Sequence, residues 1–180
     1  MRIAVSGTHG VGKSTLIDEF LRVHPDFTHE PEPYTVMVED LGEEFSDEPN
    51  VDDFRRQLEF NIERLQQLAA ETKVIYERCP VDFLAYLDAL EPGSVDALLG
   101  AVATAMQNLD LIVYLPLDTA QTLASEFPKL QKAVDRRLSK MLLDDELGII
   151  TTPVVEARGS TAQRLRVVET TLMNLKHATR

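Results

Sequence analysis

The 180-residue chain has no tryptophan, one cysteine (Cys79), and only 6% aromatic side chains. A lone cysteine excludes an internal disulfide and fits a reducing compartment. No apolar run approaches the ~20 residues of a membrane-spanning helix, so no membrane partner is expected. Positive charge is scarce: 18 Lys and Arg face 30 Asp and Glu, a formal net charge of −12. Such a surface repels a phosphate backbone, so no nucleic-acid partner is expected unless a local basic patch exists. His24, His29 and His177 share no ligand spacing with one another or with Cys79, which disfavours zinc. The first residues pass directly into a strand pattern that leaves no room for a signal peptide, and a cytoplasmic location is expected. The length points to one domain, residues 1–180, and the 44% apolar content supplies its core.

Residues Gly7-Thr8-His9-Gly10-Val11-Gly12-Lys13-Ser14 match G-x-x-x-x-G-K-[ST], a phosphate-binding loop. The loop follows the apolar run Ile3-Ala4-Val5 and precedes a helical stretch from Lys13 to Val23, the strand–loop–helix context its chemistry needs. Glycines permit backbone angles that turn successive N–H groups inward around a phosphate, and the helix aims its positive end at the anion. Lys13 is expected on the β- and γ-phosphates of ATP and Ser14 on Mg²⁺. Gly7 through Ser14, with Thr15, are the candidate nucleotide contacts.

Strands and helices alternate along the rest. Short strands are predicted at 26–30, 73–77, 111–115 and 152–156. Helices are predicted from Pro33 to about Phe45, Asn50 to about Glu71, Pro80 to Leu90, Ser94 to about Asn108 and Pro128 to Glu146, followed by one opened by a Ser160/Gln163 capping box. Leu111–Leu115 is the most apolar short run and reads as a central strand buried on both faces. The pattern predicts a three-layer α/β/α fold with a five-stranded parallel sheet, the ligand lying beyond the strands' carboxyl ends.

Three constellations close predicted strands or follow them. Glu30-Pro31-Glu32-Pro33 offers a carboxylate, with Glu30 as the candidate that accepts a proton from an acceptor hydroxyl, or it is an acidic surface turn. Glu77-Arg78 pairs a carboxylate for the metal with a guanidinium for the transferring phosphoryl group, or it is a surface ion pair. Lys129, Lys132, Arg136, Arg137 and Lys140 form a cationic stretch that could close over a triphosphate as a lid at about 128–147, or a solvated face paired with Asp135, Asp144 and Asp145. Tyr34, Phe54, Phe60 and Phe83 could stack on a base, although such spacings more often mark core.

The phosphate loop, Glu-Pro at the second strand and Glu-Arg at the third resemble the deoxyribonucleoside kinase and thymidylate kinase group of P-loop kinases. The layout is also similar to ATPases related to nicotinamide riboside kinase. Asp110–Asp118 resembles that group's run into the lid, and Val155–Arg164 its C-terminal turn near the ATP base, which implies Arg158 as a nucleotide contact. Cys79 replaces the usual Ser after the Arg, and the lid carries only Arg136-Arg137 and Lys140. The resemblance implies a Mg-ATP-dependent phosphotransferase acting on a small molecule, a nucleoside or nucleotide. The roles are Lys13, Glu30, Arg78, Arg136 and Arg137 in catalysis and Ser14 with Glu77 at the metal.

A regulatory ATPase acting on a protein partner, or a binding-only pseudo-kinase, remains open. The chain has no Asn-Lys-x-Asp guanine signature and no strand ending in Asp-Glu, which argues against a GTPase and an AAA-type motor. A homodimer through the helices from Asn50 and Ser94 is possible on the sequence alone.

Overall fold

The computed structural model describes residues 1–118 and 125–178. Its five strands are β1 (Arg2–Ser6), β2 (Thr28–Glu30), β3 (Val74–Glu77), β4 (Leu111–Tyr114) and β5 (Val154–Glu156). All pairings are parallel, in the order β2-β3-β1-β4-β5. The helices are α1 (Lys13–Val23), α2 (Pro33–Glu39), α3 (Val51–Gln67), α4 (Pro80–Leu90), α5 (Leu99–Met106), α6 (Pro128–Leu143) and α7 (Thr161–Ala178). This is the expected three-layer arrangement of a P-loop fold. β4 is internal and wholly buried as predicted, while β1 holds the centre.

Alternation along each strand divides the core in two. Ala4, Tyr76 and Ile112 face a layer containing Leu58 and Leu65 of α3, Phe83 and Leu84 of α4, Met106 of α5 and Leu138 of α6. Ile3, Val5, Ile75 and Val113 face Leu16, Ile17 and Phe20 of α1 and Val168 and Leu172 of α7. Residues 80–88 of α4 are buried on every side, so this helix runs through the molecule rather than over it. That position lets its polar groups serve the site from beneath.

Local chemistry sets several boundaries. The Asn50 side chain accepts from the Asp53 amide at 2.9 Å and starts α3, and Ser160 and Gln163 make the capping box that opens α7. Several helices are shorter than predicted: α2 ends at Glu39, shortly before Gly42 turns with φ +68°, α3 at Gln67, α5 at Met106 and α6 at Leu143. Ser94 does not cap a helix. The chain passes through a 3₁₀ turn at Asp96–Leu98 into α5, and the Ser94 hydroxyl is buried without a partner. Packing of Val95, Val102, Ala105 and Met106 into the core sets this segment and overrides the capping preference. Among the described residues no helix is long and apolar enough to cross a membrane.

Candidate active site

The parallel register brings two strand ends together. Val5 of β1 lies opposite Glu77 of β3, and the Arg78 amide donates to the Val5 carbonyl at 3.0 Å. The phosphate loop that leaves β1 therefore rises beside Glu77 and Arg78. Gly7, φ +149°, has no room for a side chain: a Cβ would stand 2.6 Å from the Leu115 carbonyl oxygen and 2.9 Å from Val11. Gly12 opens α1 with φ +92°. Among the described residues no acceptor takes the amides of Gly10, Val11 or Gly12, which leaves these donors for an anion.

Lys13, Ser14 and Glu77 converge. The Ser14 hydroxyl donates to Glu77 Oε1 at 3.0 Å, and Lys13 Nζ lies 3.9 Å from the same oxygen and donates to the Thr8 carbonyl at 3.2 Å. Burial, then the Arg78 charge, lowers the Lys13 ammonium below its ordinary value, against the pull of Glu32 and Glu77. A hydroxyl and a carboxylate are hard oxygen donors, and both fit a Mg²⁺ ion that keeps most of its waters.

Arg78 is buried and carries the positive φ (+77°) that non-glycine residues seldom adopt. Such a conformation costs about 1–3 kcal/mol and persists only where its surroundings enforce it. Here Nε donates to Glu32 Oε1 at 2.6 Å, NH1 donates to the Gly7 carbonyl at 3.1 Å and lies 3.5 Å from Asp82, and the guanidinium sits 5.4 Å from the Tyr86 ring centroid. Burial opposes ionisation of Glu32, but the Arg78 and Lys13 charges and the Arg78 hydrogen bond outweigh it and bring the carboxyl down to about 2. Arg78 is desolvated too, and Glu32 still raises it above its ordinary value.

A cleft of 730 Å³ opens beside this pair. Glu32, Tyr34, Phe54, Gln57, Arg78 and Tyr86 are in its wall, with Phe127, Leu130 and Gln131 at the α6 side and His9 at the phosphate loop. Phe54 and Tyr86 stack with ring centroids 4.3 Å apart. Of the four aromatic candidates, Tyr34 and Phe54 line the cleft; Phe83 is core and Phe60 is not in the wall.

Three sequence expectations need correction. Glu30 is held by Arg64 of α3, Nε at 2.5 Å and NH2 at 2.8 Å, and does not line the cleft; the carboxylate of this segment that lines it is Glu32, two residues on. Glu30 is the last residue of β2, where Arg64 of α3 takes it, whereas Glu32 lies beyond the strand and directly precedes α2 at the sheet's carboxyl edge. Arg137 is bound to the buried Asp88 of α4 at 2.6 Å, an α6–α4 tie away from the phosphate loop. Arg158 pairs with Glu156 in an exposed turn, and the arginine of this C-terminal segment that reaches the phosphate loop is Arg164, whose NH1 donates to the Val11 carbonyl at 2.6 Å. Arg136 is exposed on α6, with no ion pair among the described residues. Of the expected salt-bridge partners on this helix, Asp135 instead accepts from the Tyr114 hydroxyl and the Leu117 amide, both at 2.8 Å.

Sequence reasoning missed Asp82, Tyr86, Gln131 and Arg164. Asp82, wholly buried, accepts from the Gly7 amide at 2.9 Å and from the Cys79 amide at 3.0 Å. The Tyr86 hydroxyl accepts from the His9 amide at 3.3 Å, and Gln131 donates to the His9 carbonyl at 2.7 Å. Two acids, Asp82 four residues after Arg78 and Asp88 beyond it, in a helix otherwise built of apolar and aromatic residues were the one available signal.

Solved structures of other proteins share the fold. Deoxyadenosine kinase from M. mycoides with bound dATP superposes with a TM-score of 0.66 at 13% identity, over 96% of this chain and 99% of that one. The same kinase with dCMP and a flexible dCDP gives 0.64 at 14%, over 97% and 100%. NadR protein in complex with NR gives 0.66 at 16%, over 94% of this chain and 50% of that one. No curated protein matches the sequence. A family profile described as an AAA domain matches residues 2–164, and with its phosphate loop and five-stranded parallel sheet the chain belongs to the AAA domain family of P-loop proteins.

Proposed function

We propose that this protein is a P-loop kinase that moves the γ-phosphoryl group of ATP onto a hydroxyl of a small molecule of the nucleoside class. The observation that carries the reading is the Glu32–Arg78 pair, at 2.6 Å, standing between the phosphate loop and a cleft large enough for such an acceptor. A carboxylate and a guanidinium at the junction of donor and acceptor sites are the groups phosphoryl transfer calls for.

The phosphate-loop amides and Lys13 hold the β- and γ-phosphates. Ser14 and Glu77 would hold Mg²⁺, which when bound neutralises charge on the phosphate oxygens. Glu32, ionised at neutral pH, orients the acceptor O–H and takes its proton as the new P–O bond forms and the bond to the ADP leaving group breaks. Arg78 offsets charge on the equatorial oxygens. Arg164 fixes the Val11 carbonyl and with it the curvature of the phosphate loop. Helix α6 would serve as the lid, tied to His9 through Gln131 and to Asp88 through Arg137, and its exposed Lys129, Lys132 and Arg136, which make no ion pair among the described residues, would supply cations for the triphosphate.

Labelled ATP and Mg²⁺ incubated with a panel of nucleosides, nucleotides and vitamins tests the reading. Transfer to one class, abolished by Lys13→Ala, is the expected result. Release of inorganic phosphate to water with every candidate favours a regulatory ATPase instead.

A further inference from the structure

The charged side chains that line the cleft beside Glu32 are mostly acidic. Asp47, Glu48, Asp53 and Glu126 line it in addition to Glu32, against a single arginine, Arg78. That arginine is engaged already by Glu32, the Gly7 carbonyl and Asp82. A second arginine, Arg56, lies 4.3 Å over the centre of the Phe45 ring. It is taken up by Glu43 at 3.3 Å and by the Glu44 carbonyl at 3.0 Å, and lies 3.9 Å from Asp53. His9 is the remaining group of basic type in the wall, its backbone held by Tyr86 and Gln131. Residues 119–124, which follow Asp118 in sequence, include no charged side chain.

A phosphate monoester brings a charge of about −1.5 to −2 at pH 7. Desolvating it requires a cation or several free donors, and beside Asp47, Glu48 and Glu126, which make no ion pair among the described residues, it is repelled. Flat rings fare differently. Phe54 and Tyr86 stack at 15° to one another, and Tyr34 meets Phe45 at 5.1 Å, all four in the cleft wall. Aromatic walls favour a planar ring, and acids around them favour a ring that is neutral or cationic.

We propose that the acceptor is a flat-ringed alcohol that bears no phosphate and no negative charge, so that the cleft accepts nucleosides and rejects nucleoside monophosphates. The inference deepens the kinase reading and rests on it for the reaction, but the charge preference is measurable by binding alone.

The test uses the full chain with Mg²⁺ and a non-hydrolysable ATP analogue. It is titrated calorimetrically with adenosine, cytidine, thymidine and a pyridinium riboside, and with the 5′-monophosphate of each. Transfer from labelled ATP is followed in parallel. Each nucleoside that binds is expected to do so at least about tenfold more tightly than its monophosphate, with the gap narrowing as salt rises. Glu48→Lys with Glu126→Lys, both at exposed positions, should strengthen monophosphate binding and weaken the pyridinium riboside. A monophosphate that binds or reacts better than its nucleoside overturns this inference and leaves the kinase reading intact. The expected order of binding without transfer to any compound overturns the kinase reading alone. No binding of either class overturns both.

Discussion

Asp82 and Gly7 are joined across 75 residues of sequence: the buried carboxylate on α4 accepts the amide that opens the phosphate loop, at 2.9 Å. The same carboxylate lies 3.5 Å from Arg78, so one side chain fixes the loop's first peptide and helps hold the guanidinium in its positive-φ conformation. Asp82→Ala leaves Arg78 with one fewer counter-charge in a dry site, where breaking a buried pair costs about 3–5 kcal/mol. A lower unfolding temperature and weaker Mg-ATP binding by calorimetry are the expected outcomes. Unchanged nucleotide affinity would remove Asp82 from the positioning of the loop.

Glu32→Gln and Glu30→Gln separate the two acids of the Glu-Pro-Glu-Pro segment. Glu32→Gln should lower kcat by about 10²–10⁴, the range of a lost general base, with little change in the Kd for ATP. Glu30→Gln should leave kcat near the parent value and lower thermal stability, because it loosens the paired hydrogen bonds to Arg64. Steady-state kinetics with denaturation midpoints distinguish the pair, and a reversed pattern would return the catalytic role to Glu30.

The Glu32 carboxyl titrates at about 2, below the ordinary 4.5. The native state thus holds this proton less tightly than the unfolded chain, and ionised Glu32 stabilises the fold. That contribution is complete above pH 4.5 and disappears as pH falls toward 2. Chemical denaturation across this window should show parent and Glu32→Gln proteins converging in stability as the acid end is approached. Curves that stay parallel throughout would contradict the assigned shift.

Arg164→Ala removes a charged donor from the Val11 carbonyl, a bond worth about 1.5–3 kcal/mol in comparable sites. Burial already lowers the Arg164 guanidinium below its ordinary value, so the hydrogen bond is made at a cost that the loop geometry must offset. Reduced nucleotide affinity is expected by calorimetry. Arg158→Ala, which breaks only an exposed pair with Glu156, should change affinity and stability little. Equal losses in the two variants would refute the distinction.

Much of the architecture was legible in the chain. Helix α4 runs from Pro80 to Leu90 as its composition predicts, Asn50 and Ser160 cap the helices they precede, and Gly7 through Ser14 form the loop the motif describes. Such features depend on neighbours within about one turn of helix or one strand, which is where periodicity and capping act. Ser94 was misread because its segment answers to the core and not to its own capping preference.

By itself, the sequence determined that a strand feeds a glycine loop and a helix, that strands and helices alternate, and that Glu77 and Arg78 end a strand. Those properties belong to short stretches of chain. Only the tertiary structure decided that Glu32 rather than Glu30 faces the cleft, that Arg164 rather than Arg158 reaches the loop, and that Arg137 is spent on Asp88. Each of these outcomes depends on which opposite charge or carbonyl oxygen lies within hydrogen-bond reach after α3, α4 and α7 have packed. A buried ion takes the partner that compensates its lost hydration, however far away that partner stands in the chain.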